Sequence, residues 1–353
     1  MKVNPLPCPL ARCPMGKNLV AMDKADNQTI GIDLTAAVTA LVSGSPAILT
    51  VPSRDPSTAA SALPSGPFAP LRHRTLELGL RGFVEDQTGF RLGYIEQLYT
   101  FGDRGRHATS PSSAPHVLSI GYLALTRNDA DESEDAPWSW QSWYQFFPWE
   151  DWRSGRPAIL DQAILPALHQ WLQADTREDP PGRSLSRERR VALAFGEAAD
   201  DGSFTWDEER VLERYELIYE AGLAQEATRD GRMQNDTLPA SSIGHPMALD
   251  HRRILATAIA RLRGKMKYRP VVFELMPQSF TLTGLQSAVE AIAGRRLHKQ
   301  NFRRLVDNAG LVEPTGAASQ ATGGRPAALY RFRRDVIAER PSAGLRFGQP
   351  VVR

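Results

Sequence analysis

Cysteine is nearly absent: Cys8 and Cys13 are the only two in 353 residues. They sit together in a proline-rich leader, with no histidine beside them and no second pair, which argues against both a disulfide framework and a zinc site. Long apolar runs are missing too, since no stretch nears the roughly 18 residues that cross a bilayer. The opening MKVNPLPCPLARCPMGK lacks a continuous apolar core ending in a small-residue cleavage site. The expectation is a cytoplasmic protein with no membrane partner. No internal repeat is apparent, and 42% hydrophobic with 23% charged residues is neither a fibrous nor a disordered composition. At about 150 residues per domain, the length implies two domains.

An excess of one charge is missing only from the total, which is +2. Residues 251–353 hold 19 Lys+Arg against 6 Asp+Glu, a balance of +13, and the rest of the chain holds 23 against 34, a balance of −11. A basic region beside an acidic one implies a polyanionic partner, because Lys and Arg release condensed counterions from a phosphate backbone. A chance cluster of solvated charges is the alternative.

In the acidic part, residues 33–42 and 47–51 are rich in Val, Ile, Leu and Thr and predict two strands joined around Gly44-Ser45. Leu76, Leu80, Phe83 and Val84 form one apolar stripe of a helix that Thr88-Gly89 closes. Strands are predicted at 94–101 and 117–126, separated by a basic loop, Asp103 to His107. The run PWSWQSWYQFFPWEDW concentrates Trp138, Trp140 and Trp152, a pattern of core or interface packing or, alternatively, of a ring on which a nucleotide stacks. An amphipathic helix over 159–172, interrupted by Pro166, a polar linker over 175–190, a strand at 191–195 and a helix over 207–221 capped by Asp207 complete this part. About 20 residues without periodicity follow and mark a boundary. The expected division is a flexible leader at 1–29, a first domain at 30–224, a linker at 225–249, a second domain at 250–336 and a tail at 337–353.

The basic domain opens with a helix capped by Asp250, whose apolar positions Ile254, Leu255, Ala258, Ile259 and Leu262 share one face. A short helix follows Pro270. Thr281 then caps a helix to Ile292, a turn spans Gly294 to Leu297, and a further helix runs from about Lys299 to Ala309. Phe302, Leu305, Val306 and Ala309 form the inward stripe of this last helix. Lys299, Gln300, Asn301, Arg303 and Arg304 lie elsewhere, as a helix docking in a major groove requires: Arg can pair with guanine, and Gln or Asn with adenine. Beyond Gly310, LVEP and ALYRF read as strands bracketing a glycine-rich hairpin, a wing, with Arg325 near its tip placed to meet phosphate or a minor groove. Helix, turn, helix and wing together predict a winged-helix domain that binds double-stranded DNA.

The strand pair, the LPSG loop and the helix ending VEDQTGF resemble the Nudix fold, an α/β/α sandwich with the signature G-x5-E-x7-R-E-U-x-E-E-x-G-U, where U is bulky and apolar. With Gly89 on the last glycine, Gly82 takes the arginine position, Phe83 the first helical glutamate, Asp86 and Gln87 the glutamate pair, and Arg74 the upstream glutamate. Only Asp86 keeps a carboxylate. Nudix chemistry uses several carboxylates on one helix face to hold divalent metal against a pyrophosphate, so this pattern predicts neither a metal site nor a catalytic one.

A Nudix-like domain before a winged helix is similar to the Nudix-related regulators of NAD metabolism, the NrtR group and its longer NadQ-type members. EQLYTFGDRGR, DEERVLERYELIYEAGL, DHRRILATAIARLRGKMKYRP, FELMPQSFTL, KQNFRRLV and GGRPAALYRF carry the resemblance, over about residues 30 to 335. His298 is a departure, standing where relatives commonly have an Asp suited to N-capping. The resemblance implies a homodimeric repressor of NAD biosynthesis or salvage genes. It needs no cofactor, and NAD, ATP or ADP-ribose in the Nudix-like cleft is its effector. Arg104 and Arg106, on a loop after a strand, become candidates for the pyrophosphate, with plain surface charge as the alternative. The competing expectation is an active Nudix hydrolase of ADP-ribose or NAD with an accessory DNA-binding domain.

Overall fold

The computed structural model describes residues 30–54, 60–103, 116–128, 136–174, 185–196, 206–231, 243–319, 326–336 and 344–345. The leader at 1–29 and most of the tail lie outside these residues, as do Arg104, Arg106 and Arg325.

The central strand β1 (Ile30–Val42) runs antiparallel to β2 (Ser45–Pro52). Ser43 and Gly44 between them both have positive φ, 49° and 76°, the backbone that a two-residue hairpin needs to match strand twist. On its other side β1 pairs in parallel with β6 (His116–Leu125), which pairs antiparallel with the edge strand β5 (Tyr94–Phe101). The short strands β3 (Ser61–Ala62) and β7 (Ser139–Ser142) attach to β2, and β4 (Ser65–Pro67) to the start of β1.

Alternation along β1 builds two cores, because successive side chains leave opposite faces of a strand. Leu34, Ala36 and Val38 meet Leu80 and Val84 of α1 (Leu76–Thr88) in one cluster. The other face, with Ala37, Leu123 and Leu125, is covered by α7 (His251–Met266), on which α5 (Val211–Glu220) packs; the short helices α2 (Trp143–Phe146) and α6 (Gln225–Arg229) add Trp143, Phe146 and Ala227 to this second cluster. A Cβ on Gly121 of β6 would sit 3.0 Å from the Ile254 side chain, so the helix lies directly on the sheet. The result is an α/β/α sandwich. Its second core continues without a break through the aromatic segment into Leu285, Ile292, Phe302 and Val306 of the C-terminal part.

Helix α7 is tied to the sandwich by two buried arginines. Arg252 donates to the carbonyls of Phe146 and Ile243 and pairs with Glu226 at 3.2 Å. Arg263, three turns on, reaches Glu150 at 2.6 Å. Neither charge would survive burial without such partners.

Several local expectations need correction. Residues 191–195 are not a strand but the end of α4 (Arg187–Phe195), which Ser186 caps through the Arg189 amide and Gly196 terminates at φ 66°. A short apolar run fits a strand or a helix, and the flanking cap residues decide. Asp207 does not cap α5. Its carboxylate accepts from the Glu209 amide at 3.0 Å, one turn before the helix begins. The 159–172 helix is a π turn, Leu160–Ile164, leading into α3 (Leu165–Ala174); a wider turn accommodates Pro166, which has no N–H to donate backwards.

Candidate nucleic-acid interface

The C-terminal part is helix, turn, helix and wing. α8 (Leu282–Ala293) starts at Thr281, whose hydroxyl accepts from the Gly284 amide at 3.0 Å, and ends at Gly294 in the left-handed region. α9 (Lys299–Ala309) follows. His298 offers α9 no side-chain cap, so its first turn rests on the backbone bond from Phe302 N to His298 O, 2.9 Å, which fits the loss of a capping Asp. Strands β8 (Val312–Ser319) and β9 (Ala327–Phe332) form the wing as an antiparallel pair. Phe280 bridges to β9 through two backbone bonds with Tyr330, and Phe332 stacks on Phe273 at 4.4 Å.

On α9, Phe302 and Val306 are buried, with Leu305 and Ala309 packed beside them. Lys299, Gln300, Asn301, Arg303 and Arg304 are exposed. Arg304 donates to Asn301 at 3.4 Å, a weak bond that a base edge could displace. One helix face is therefore fixed in the core while the other presents cations and amides to solvent, the arrangement that lets a helix enter a major groove without disturbing its support. Arg325 falls between β8 and β9 in the sequence and lies outside the described residues.

On the sandwich, the side chains of α1 are engaged in packing. Phe83 lies against the backbone of β4, so that a Cβ on Gly66 would clash with its ring carbons, and it meets His73 edge-on at 5.1 Å. Gln87 clamps Ser65, donating to its carbonyl at 2.7 Å and accepting from its amide at 3.3 Å. Asp86 is exposed. Arg54 also donates to the Ser65 carbonyl. On β1, burial pushes the Asp33 carboxyl up and the Arg54 charge only partly offsets it. Among the described residues no group of three His, Cys, Asp or Glu side chains gathers as a metal site would. Arg104 and Arg106 follow β5 in the sequence and lie outside the described residues.

The aromatic run is packing, as expected, and more. Trp138 and Trp140 pack on Phe90 at 4.9 and 5.6 Å, and Trp152 on Trp206 at 4.5 Å. Within the run, Glu150 is completely buried between Arg214 and Arg263. Burial pushes its carboxyl up, but the two guanidiniums and their hydrogen bonds outweigh that and hold it below the usual carboxylate range. Glu150 is not among the residues that stand out in the sequence. A signal existed: a carboxylate among Phe146, Phe147, Trp149 and Trp152 must find a cation if it is to be buried.

Comparison with known proteins bears on both parts. Residues 272–332 match the family model of the NrtR DNA-binding winged helix domain. A segment of 86 residues, 24% of the chain, is 46% identical to the ADPR responsive transcriptional repressor NtrR of Acinetobacter baylyi and spans 34% of that protein's length. In structure, the chain is similar to Shewanella oneidensis NrtR complexed with a 27mer DNA, with a TM-score of 0.52 and 19% identity over 89% of this chain and 98% of that one. It is similar to the same protein without DNA at a TM-score of 0.51 and 20% identity, over 90% and 98% of the two chains. Residues 272–332 thus match the NrtR winged helix domain, and the chain as a whole shares the fold of Shewanella NrtR, here an α/β/α sandwich followed by a winged helix.

Proposed function

We propose that this protein is a nucleotide-responsive transcriptional repressor that binds a palindromic operator as a homodimer through α9 and the wing. The observation that carries this reading is the divided surface of α9: Phe302 and Val306 anchored in the core, Lys299, Gln300, Arg303 and Arg304 turned to solvent, within an NrtR-type domain. Arg303 reads a base, Lys299 and Arg325 contact phosphate or the minor groove, and Gln300 and Asn301 contribute amide contacts. The winged helix argues for duplex DNA as the partner, and a cytoplasmic location follows from that partner.

The effector is a nucleotide, ADP-ribose first among NAD, ATP and ADP-ribose, because the Acinetobacter relative is named as ADPR responsive. It binds in the Nudix-like sandwich, with Arg104 and Arg106 on its pyrophosphate, and needs no cofactor. The domain does not hydrolyse it: Phe83 and Gln87 are committed to the β4 backbone and leave α1 without a cluster of carboxylates. Control of NAD biosynthesis or salvage genes follows from such an effector. Selection of duplexes from a random pool by the full-length chain, followed by titration with each nucleotide, tests the reading. A selected palindrome whose affinity shifts with ADP-ribose supports it. Failure to enrich any sequence overturns it, and metal-dependent release of AMP from ADP-ribose would favour a hydrolase instead.

A further inference from the structure

The end of α8 is held from outside the winged helix. The last carbonyls of an α-helix have no partner within it and must find donors elsewhere. Here the Tyr144 hydroxyl donates to Ala291 O at 2.6 Å, Arg263 Nε to Ile292 O at 2.9 Å and the Trp152 amide to Gly294 O at 2.7 Å. None of these donors falls within residues 272–332. Burial pushes the Tyr144 hydroxyl up, so it stays protonated and remains a donor. Arg263 also brings a positive charge to the negative end of the helix dipole.

What aims Arg263 is Glu150. Its carboxylate receives Arg263 Nη1 at 2.6 Å on one oxygen and is forked by Arg214 at 2.6 and 2.9 Å, while Arg263 Nη1 also donates to Glu208 O at 3.0 Å. The seam is tight, because a Cβ on Gly294 would land on the Glu150 carbonyl oxygen. Beyond Gly294 the turn is tied back to α8: the Leu297 amide donates to Glu290 at 2.9 Å, and Gln286 donates to Leu297 O at 2.9 Å. α9 begins two residues later. At the other end, the segment continues from β7, which pairs with β2 in the sheet. A single stretch of chain thus runs from the sandwich to the turn that sets the direction of the recognition helix.

We propose that residues 143–152 are the coupling element of this protein, with Tyr144, Glu150 and Trp152 as positioning residues that fix α9 relative to the sandwich. This rests on the DNA-binding reading above. A homodimer reads two half-sites only if its two recognition helices keep a fixed separation, so a loosened grip spares general attraction to phosphate and removes sequence preference.

The test uses the full-length chain, Tyr144→Phe and Glu150→Gln, and two readouts. In hydrogen exchange, both variants are expected to raise exchange of the 291–297 amides about tenfold or more while those of β1 and β6 stay unchanged. In binding, the affinity for a duplex selected by the native chain falls about tenfold while that for random duplex changes by less than about twofold. Unchanged exchange at 291–297 overturns the proposal, as does an equal fall on both duplexes or no fall on either. If Glu150→Gln does not fold, Tyr144→Phe, which removes one hydroxyl, decides. If the native chain selects no duplex, the DNA-binding reading has failed, and exchange alone decides whether the grip exists.

Discussion

Helices α1 and α9 are of similar length, 13 and 11 residues, and each has an apolar stripe sunk in a core. They differ in what their remaining side chains do. On α1, Phe83 and Gln87 are engaged with the backbone of β4, and Glu77 and Glu85 pair with Arg81 and Arg91. On α9, Lys299, Gln300 and Arg303 make no side-chain hydrogen bond or ion pair among the described residues, although the helix lies in the most basic part of the chain. A helix whose polar groups are consumed by its own fold contributes stability, and one whose polar groups are left over can contribute binding.

That contrast can be broken by experiment, beginning with the largest effect. Phe302→Ala removes the anchor of α9 and is expected to cost about 3–5 kcal/mol of stability, read from urea unfolding; a cost below about 1 kcal/mol would mean that α9 is not set in the core as described. Arg303→Ala is expected to leave stability within about 0.5 kcal/mol while weakening binding to a selected duplex by about 1–3 kcal/mol, and equal loss on random duplex would make it a phosphate contact instead. Gln87→Ala should do the reverse, costing about 1–3 kcal/mol of stability by stranding the Ser65 amide, while Arg54 keeps the Ser65 carbonyl, and leaving duplex affinity unchanged without nucleotide. Asp86→Asn is the smallest, under about 0.5 kcal/mol in stability and nothing in binding, since Asp86 is exposed. An ADP-ribose hydrolysis that this change abolished would return α1 to chemistry.

Acid titration separates the coupling element from both helices. The Glu150 carboxyl is held below its unfolded value, so its contribution is present above the unfolded pKa and is lost as pH falls through the folded one. The difference in stability between the native chain and Glu150→Gln should therefore be full near neutrality and shrink below the usual carboxylate range, around pH 4. A difference that stays constant to pH 3 would remove the ion pair from the account.

Much of this was legible in the sequence, for identifiable reasons. α9 could be read because its stripe of Phe302, Leu305, Val306 and Ala309 keeps strict helical spacing and Gly310 stops it at φ 58°. The hairpin, expected around Gly44-Ser45 and formed one residue earlier at Ser43-Gly44, and the cap at Thr281 are local signals that tertiary packing did not override. Residues 191–195 were misread because five apolar residues carry no period of their own. The grip on α8 was illegible because it joins Tyr144 to Ala291 and Glu150 to Arg263, pairs 147 and 113 residues apart, and no local pattern records such a distance. The α1 clamp was half legible: the comparison with the Nudix pattern singled out Phe83 and Gln87, but their engagement with β4 emerged only in the folded chain.

The most direct test of nucleotide-responsive DNA binding is a titration of the full-length chain against a fluorescent palindromic duplex that it has itself selected, at fixed salt, with and without ADP-ribose. With the effector on the sandwich and DNA on the winged helix, as proposed, coupling between the two sites should change duplex affinity about 5- to 150-fold. Identical affinity with saturating ADP-ribose, NAD and ATP would contradict it.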